Sequence, residues 1–347
     1  MIFLRKILFP LAVLYGWITQ LRNFLYDKGI LKSYTFDIPI IAVGNLSVGG
    51  TGKTPQIEYL LRLLSDHYRV ATLSRGYKRK STGFLLADER SNAASLGDEP
   101  YQLHLKFPNV QVAVDANRRN GIEQLLNLVE KPEVIVLDDA FQHRRVKAGL
   151  YILLTTYDEL YVDDCMLPTG NLREGKSGAN RADVIIVTKC KPTISAAEMA
   201  AVKKKLDTKK PVFFSTVSYD ESAYSSDSSF TVEDLKLKSK LLIAGIAKPK
   251  AFFDYLKRDT DSIMEFPDHH HFEDSDLSRI RNNAKNKLIV TTEKDYVRLR
   301  EHFPSTQLFY LPIRTTFLDH GDLFDQIVTR YIKTGSHVFP SKATTAE

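Results

Sequence analysis

Cysteine is nearly absent from this chain. Cys165 and Cys190 are the two among 347 residues, and neither belongs to a Cys-x-x-Cys pair. A disulfide framework is thereby excluded, a reducing compartment fits, and both thiols read as passive. Long apolar runs are lacking too. Ile7 to Ile18 makes a run of twelve residues, weakened for helix by Pro10 and Gly16, short of the ~20 that span a bilayer. No Arg-rich stripe with interleaved aromatics is present, which argues against a nucleic-acid partner. Thr188-Lys189-Cys190-Lys191 lacks the final Asp of the guanine-reading signature Asn/Thr-Lys-x-Asp, an argument against a GTPase and for ATP. No second His/Cys cluster has zinc spacing, and no internal repeat is found.

What remains is an ordinary globular composition, 43% hydrophobic and 26% charged, in a chain long enough for two domains. The net charge of +6 is unevenly spread. Arg5, Lys6, Arg22, Lys28 and Lys32 stand against Asp27 alone in residues 1–32.

The most informative stretch is Val43-Gly-Asn-Leu-Ser-Val-Gly-Gly-Thr-Gly-Lys-Thr-Pro55. Ile38 to Gly44 reads as a buried strand, and Gln56 to Leu64 has helical periodicity. A strand, a glycine-rich turn and a helix start make an anion trap, with backbone N–H groups and the helix dipole facing phosphates. The cradle covers Ser47, Val48, Gly49, Gly50, Thr51, Gly52, Lys53 and Thr54. Lys53 adds a charge there, and Thr54 supplies a ligand for Mg²⁺. One position departs from the usual pattern: Ser47 stands where glycine is expected.

The N-terminal segment admits three readings. A cleaved signal peptide has the right charge and apolar core, but no small-x-small cleavage site follows. A buried core helix is the second. The third, favoured here, is a helix embedded in one leaflet, with Leu14, Ile18, Leu21 and Leu25 on one stripe and Tyr15, Trp17 and Tyr26 as interfacial rings. It places the phosphate loop on the cytoplasmic side.

Downstream, strands at 69–74, 110–114, 134–137, 151–155 and 184–188 alternate with helices at 99–107, 117–129 and 195–206. That alternation predicts a parallel sheet with helices on both faces. A serine-rich stretch, 219–229, reads as an exposed connection or hairpin tip. Beyond it a smaller α/β unit is expected, with strands near 241–246, 287–292 and 308–313 and helices near 249–258, 274–284 and 321–333. The domain expectation is therefore a membrane-associated helix to residue 30, a nucleotide-binding core over 31–218, a linker or hairpin over 219–240, a C-terminal domain over 241–334 and a disordered tail over 335–347.

Several constellations carry chemistry. Val134-Ile-Val-Leu-Asp138-Asp139 is an apolar strand ending in two carboxylates, the arrangement that holds Mg²⁺ beside a phosphate loop. While the strand continues, adjacent side chains point to opposite faces, so at most one of the pair faces the metal directly and the choice between them stays open. Gly97-Asp98-Glu99-Pro100 opens an amphipathic helix. Asp98 there is either an N-terminal cap or a carboxylate held ionised by the dipole to orient a hydroxyl proton. Arg173, in a Pro/Gly-rich loop, either bridges to a γ-phosphate or is a solvated loop arginine. Asp268-His269-His270-His271 invites a metal reading, but three successive histidines cannot converge on one ion from a regular element. One of them positioned by Asp268 is the better reading.

Taken together the motifs resemble those of the tetraacyldisaccharide 4′-kinase family, which acts on the lipid A precursor in bacteria that build an outer membrane. The resemblance spans almost the whole chain: Tyr26-Asp27-Lys28-Gly29, Val43 to Pro55 with Ser47 itself a family trait, Ser74-Arg75-Gly76-Tyr77 and Gly97 to Pro100. It continues through Asp138-Asp139-Ala140-Phe141-Gln142-His143, Pro168 to Glu174, Ala244 to Pro249, Phe266 to His269 and Val290 to Asp295. It implies phosphoryl transfer from ATP, with Mg²⁺, to the 4′-hydroxyl of a tetraacylated glucosamine disaccharide 1-phosphate. It also implies a two-domain α/β enzyme attached to the cytoplasmic face of the inner membrane.

Carried residue by residue, the resemblance makes Lys53 and Thr54 phosphate and Mg²⁺ ligands and Asp98 the base, with Glu99 beside it as a metal ligand. Asp138 and Asp139 become the acidic pair, and Gln142, Arg173 and His269 active-site positions, with Tyr77 and Arg118 as weaker candidates. Ala140 replaces a frequent glycine, and the extra histidines leave His269 and His270 as alternatives. A nucleotide-switched partner protein or metallochaperone would require a full guanine signature or a Cys/His ligand set. A nucleotide-binding scaffold would not need Asp98 and Arg173.

Overall fold

A computed structural model describes residues 7–268 and 270–335. The disordered-tail expectation therefore lies, from residue 336 onward, outside the described residues, as does His269. Helix α1 (Phe9–Asp27) begins with Pro10 in its first turn, where a missing N–H costs nothing, and is followed by Gly29 in the left-handed region. Its faces are inverted relative to an ordinary surface helix. Ala12, Gly16 and Thr19 are buried against the protein, while Phe9, Leu11, Leu14, Trp17, Ile18, Leu21 and Phe24 face outward. No helix among the described residues is long and apolar enough to cross a membrane.

The first unit alternates as expected: β1 (Ile40–Asn45), α2 (Lys53–Leu64), β2 (Val70–Ser74), β3 (Leu85–Leu86), α3 (Ala93–Leu96), α4 (Asp98–Lys106), β4 (Gln111–Val114), α5 (Arg118–Leu126), β5 (Val134–Asp138), β6 (Leu150–Thr156), β7 (Val184–Thr188), α6 (Ala196–Leu206) and β8 (Val212–Tyr219). The second contains β9 (Ser222–Tyr224), β10 (Ser229–Thr231), α7 (Val232–Leu237), β11 (Lys240–Ala244), α8 (Lys250–Leu256), β12 (Ser262–Glu265), α9 (Asp274–Ala284), β13 (Leu288–Thr292), α10 (Glu293–Leu299) and β14 (Leu308–Leu311). Two last elements follow, β15 (Ile313–Phe317) and α11 (Gly321–Thr334).

The large sheet has nine strands in the order β15-β8-β7-β6-β1-β5-β2-β4-β3. Its interior pairs are parallel, and antiparallel β3 and β15 close the two edges. Every residue of β1 is buried, as a strand covered on both faces must be. The chain runs outward to one side of β1 through β2 and β4, then crosses to the other side at β6. The carboxyl end of β1 therefore sits at a switch point, where open α/β sheets leave a crevice.

The stretch 219–240, expected to be a linker or hairpin, folds as the hairpin β9–β10 followed by α7, and the hairpin is a packed edge of the six-stranded sheet β10-β9-β14-β13-β11-β12. Ala223 is buried and Phe230 packs on Phe309 at 4.9 Å, two apolar contacts that the surrounding serines mask in sequence. Residues 313–334, expected in the second unit, return to the first. Pro312 separates β14 from β15, which pairs with β8 from Ile313↔Tyr219 to Phe317↔Ser215. Helix α11 buries Phe324, Val328 and Tyr331 in the core that contains Ile41 and Leu60. The Tyr331 hydroxyl accepts from the N–H of Ile40 at 2.9 Å and donates to its carbonyl at 3.2 Å, so the last helix is tied to the first strand of the sheet.

Candidate active site

The loop after β1 is a cradle of backbone. Gly49 and Gly52 have φ of 113° and 85°, a region glycine enters without steric cost. Gly52 is the N-cap of α2, so Lys53 and Thr54 begin the helix and their N–H groups are among its unpaired donors. Ser47 is not in that region. It forms an extended bridge with Leu172, the Val48 N–H donates to the Asn171 carbonyl at 2.7 Å, and the Arg173 N–H donates to the Leu46 carbonyl at 2.7 Å. A loop held as a short strand at this point has no need of glycine there, which accounts for the departure from the usual pattern. On the other side, the Thr188 hydroxyl donates to the Thr51 carbonyl at 2.8 Å.

A charged array closes the mouth of this loop. Lys53 Nζ lies 3.5 Å from Asn45 Oδ1 and 3.6 Å from Asp139 Oδ1. Arg173 grips Asp139 with both terminal nitrogens, at 2.9 and 2.8 Å, and also donates to the carbonyl and side-chain oxygens of Asn45. Burial alone would raise the Asp139 carboxyl, but Arg173, Lys53 and Arg118 overcome it and hold the group at about 2. Asp139 is therefore a fixed anion that orients two cations.

Its neighbour behaves differently. Asp138 closes β5, and Asp139 has a φ of 47°, so the chain leaves the strand between them and strict alternation ends. Burial, with Glu99 and Asp139 nearby, pushes Asp138 up to about 7 against Lys53 and Arg118. Its Oδ1 is buried and has no hydrogen-bond partner among the described residues. Arg118, itself lowered to about 10 by burial, donates to the carbonyls of Asp115 at 2.6 Å and Asp138 at 3.1 Å. Gln142 donates to the Asn45 carbonyl and to Glu174 Oε1, both at 2.9 Å.

The second unit approaches this site along the α4–α10 contact. Asp98 and Glu99 open α4, and Lys106 ends it. From α10, Arg298 pairs with Asp98, Lys294 lies 4.0 Å from Glu99, and Glu293 lies 2.8 Å from Lys106. Lys106 also reaches Glu58 on α2 at 2.7 Å. Arg298 donates in addition to the His270 carbonyl at 3.1 Å, so the guanidinium joins Asp98 to the histidine segment. The His270 ring is engaged elsewhere, with Nε2 2.7 Å from Asp276 Oδ2 and the ring stacked on Phe266 at 4.9 Å.

A family model described as tetraacyldisaccharide-1-P 4′-kinase matches residues 4–332. The chain belongs to that family. Tetraacyldisaccharide 4′-kinase from Flavobacterium johnsoniae is 63% identical over 332 residues, covering 95% of this chain and 98% of the relative. Its counterpart from Bacteroides thetaiotaomicron is 45% identical over 95% of this chain and 94% of the relative. Among solved structures, the “apo” form of LpxK from Aquifex aeolicus, in complex with ATP, superposes with a TM-score of 0.78 at 32% identity, covering 95% and 99% of the two chains.

For a member of this kinase family, the structure brings Lys53, Asp138, Asp139, Gln142 and Arg173 to the phosphate loop, with Glu99 near enough to Asp138 to influence its proton. Asp98 stands at the same helix start, facing the second unit. Tyr77 is 71% exposed and makes no described contact with this array. Four participants were not singled out from the sequence. Asn45 binds both Lys53 and Arg173. Lys189 has a left-handed backbone, and its Nζ is 3.7 Å from where a Cβ on Gly50 would stand. Arg298 holds Asp98, and Glu174 is fully buried beneath Arg173. Asn45, Lys189 and Glu174 carried a signal, as members of short motifs whose side-chain directions no spacing reveals, and Arg298 carried none.

Proposed function

We propose that this chain transfers the γ-phosphoryl group of ATP to the 4′-hydroxyl of a tetraacylated glucosamine disaccharide 1-phosphate. The observation that carries the reading is the Lys53–Asp139–Arg173 array across the phosphate loop. Two cations held by one low-pKa carboxylate are oriented before any phosphate arrives. That suits a loose transition state, in which the protein chiefly positions reactants and neutralises charge. Lys53 and Arg173 would contact the β- and γ-phosphate oxygens, with the N–H groups from Gly49 to Thr54 around them. Lys189 would flank the loop. Asp98, held by Arg298 at the start of α4, would orient the attacking hydroxyl and take its proton.

The residues fit a magnesium ion. No group of three or more His, Cys, Asp or Glu among the described residues makes an all-protein metal cage, and magnesium beside phosphates does not require one. The buried, unpartnered Oδ1 of Asp138 has the character of a ligand oxygen, and Thr54 and Glu99 complete the candidate set. A bound Mg²⁺ would neutralise charge on the transferring phosphoryl group. The ATP complex of the Aquifex relative and the names of the curated relatives support both nucleotide and substrate class.

Helix α1 would seat the enzyme on the cytoplasmic surface of the inner membrane, its outward Leu, Ile, Phe and Trp side chains in the acyl boundary and the N-terminal basic residues on anionic headgroups. An acylated substrate need not then leave the bilayer.

The test is incubation of the purified chain with ATP, Mg²⁺ and the tetraacyldisaccharide 1-phosphate. A mass gain of one phosphate on the lipid, with matching ADP release, is expected. ADP release with no lipid product would overturn the reading.

A further inference from the structure

The inner face of α1 is bonded directly to the segment that supplies the active-site arginine. The Tyr15 hydroxyl donates to the carbonyl of Arg173 at 2.9 Å, and two turns later Asn23 Nδ2 donates to Glu174 Oε2 at 2.9 Å. Glu174 is wholly buried. Its remaining partners are Arg181, at 2.8 Å to each oxygen, and Gln142, at 2.9 Å. Gln142 and Arg173 both continue to the carbonyl of Asn45, whose side chain also meets Lys53. The small residues Ala12 and Gly16 let the helix approach closely here, and Arg144 fixes the end of the stretch by donating to the Asn23 carbonyl at 2.7 Å.

We propose that Tyr15 and Asn23 are positioning residues for phosphoryl transfer. The membrane-facing helix is then part of the scaffold of Arg173 and Gln142 as well as an anchor. The physical reason lies in Glu174. A buried carboxylate must have its lone pairs filled, and a lost donor costs about 1–3 kcal/mol, more for a charged group. Without Asn23, Glu174 Oε2 keeps only Arg181, and its vacated lone pair competes for Gln142, which is drawn away from Asn45. Without the Tyr15 hydroxyl, the backbone of Arg173 loses its tie to the helix while its side chain still has to span to Asp139. Displacements of this kind change turnover rather than lipid affinity, because both side chains point into the protein, Tyr15 included, which the sequence reading sets among the interfacial rings.

The inference rests on the kinase reading. Tyr15→Phe and Asn23→Ala full-length chains should show kcat lowered by about tenfold or more, with the KM for lipid in mixed micelles and vesicle co-sedimentation within about twofold of wild type. Tyr15→Phe keeps the ring and its packing, so it decides the matter if Asn23→Ala fails to fold. In Asn23→Asp two carboxylates oppose each other and kcat should drop. Adding Glu174→Gln restores a donor–acceptor pair and should recover part of it. Variants that keep wild-type kcat, or that lose kcat only in step with vesicle binding, would overturn the inference. Absence of phosphate transfer by the wild-type chain would instead overturn the kinase reading.

Discussion

Replacing Arg173 with alanine removes the cation that is bonded at once to Asp139 and to Asn45. Its two bonds to Asp139 are 2.8 and 2.9 Å long. Unit charges about 4 Å apart interact by about 4 kcal/mol at an effective dielectric constant of about 20. The side chains of Arg173 and Asp139 are 23% and 37% exposed, so water screens part of this, and about 2–3 kcal/mol is a fair expectation for the stabilisation a transferring phosphoryl group would lose. That corresponds to a fall in kcat/KM of about 30- to 150-fold. Arg173→Lys keeps the charge but loses the planar fork, so it should fall between the two. Initial rates in mixed micelles at varied ATP would measure both. Adding Asp139→Asn closes a double-mutant cycle: if Arg173 acts partly through Asp139, the double variant is less impaired than the two single losses combined. An Arg173→Ala enzyme within threefold of wild type would refute the clamp.

Asp98→Ala should lower kcat far more than it alters the KM for ATP, and near-normal turnover would remove Asp98 from the role of base. Gly44→Ala would place a Cβ 2.7 Å from Phe141 Cβ and 3.0 Å from its backbone nitrogen. In a fully buried strand this should cost about 1–3 kcal/mol of stability, measurable as a lowered urea midpoint. An unchanged midpoint would mean that the turn after Asp139 yields freely. Glu293 is pushed from 4.5 to about 7, first by burial and then by Glu58, against Lys106. The folded chain therefore holds a proton that the unfolded chain has released, and wild-type stability falls as pH rises through that window. Glu293→Gln lacks this titration, so its thermal midpoint relative to wild type should climb between pH 5 and pH 8. A constant difference across that range would count against it.

The candidate site was legible wherever its parts are contiguous. A phosphate loop is a strand end, a turn and a helix start in one run of residues, and the glycines at 49 and 52 carry their backbone requirement in their identity. Asp138 and Asp139 were equally visible at the end of an apolar strand. Their division of labour was not, because it depends on Arg173, which lies 34 residues away in sequence from Asp139, and on the left-handed turn at Asp139. The return of residues 313–334 to the first sheet was hidden for a similar reason. Nothing in the local pattern of β15 distinguishes pairing with β14 from pairing with β8.

By itself, then, the sequence determined the alternating α/β architecture, the anion cradle, the acidic strand end, and a basic, apolar N-terminal helix too short to be read as a span. Periodicity, glycine and helix polarity are local properties, and a local pattern suffices to write them. Tertiary structure alone decided which way that helix faces, with Ala12, Gly16 and Thr19 inward and Trp17 and Leu21 outward. It also decided that Arg298 meets Asp98, 200 residues away, and that Asn23 meets Glu174, 151 residues away. Those pairings are set by which buried charges must find partners once the sheets have packed, and no spacing along the chain records them.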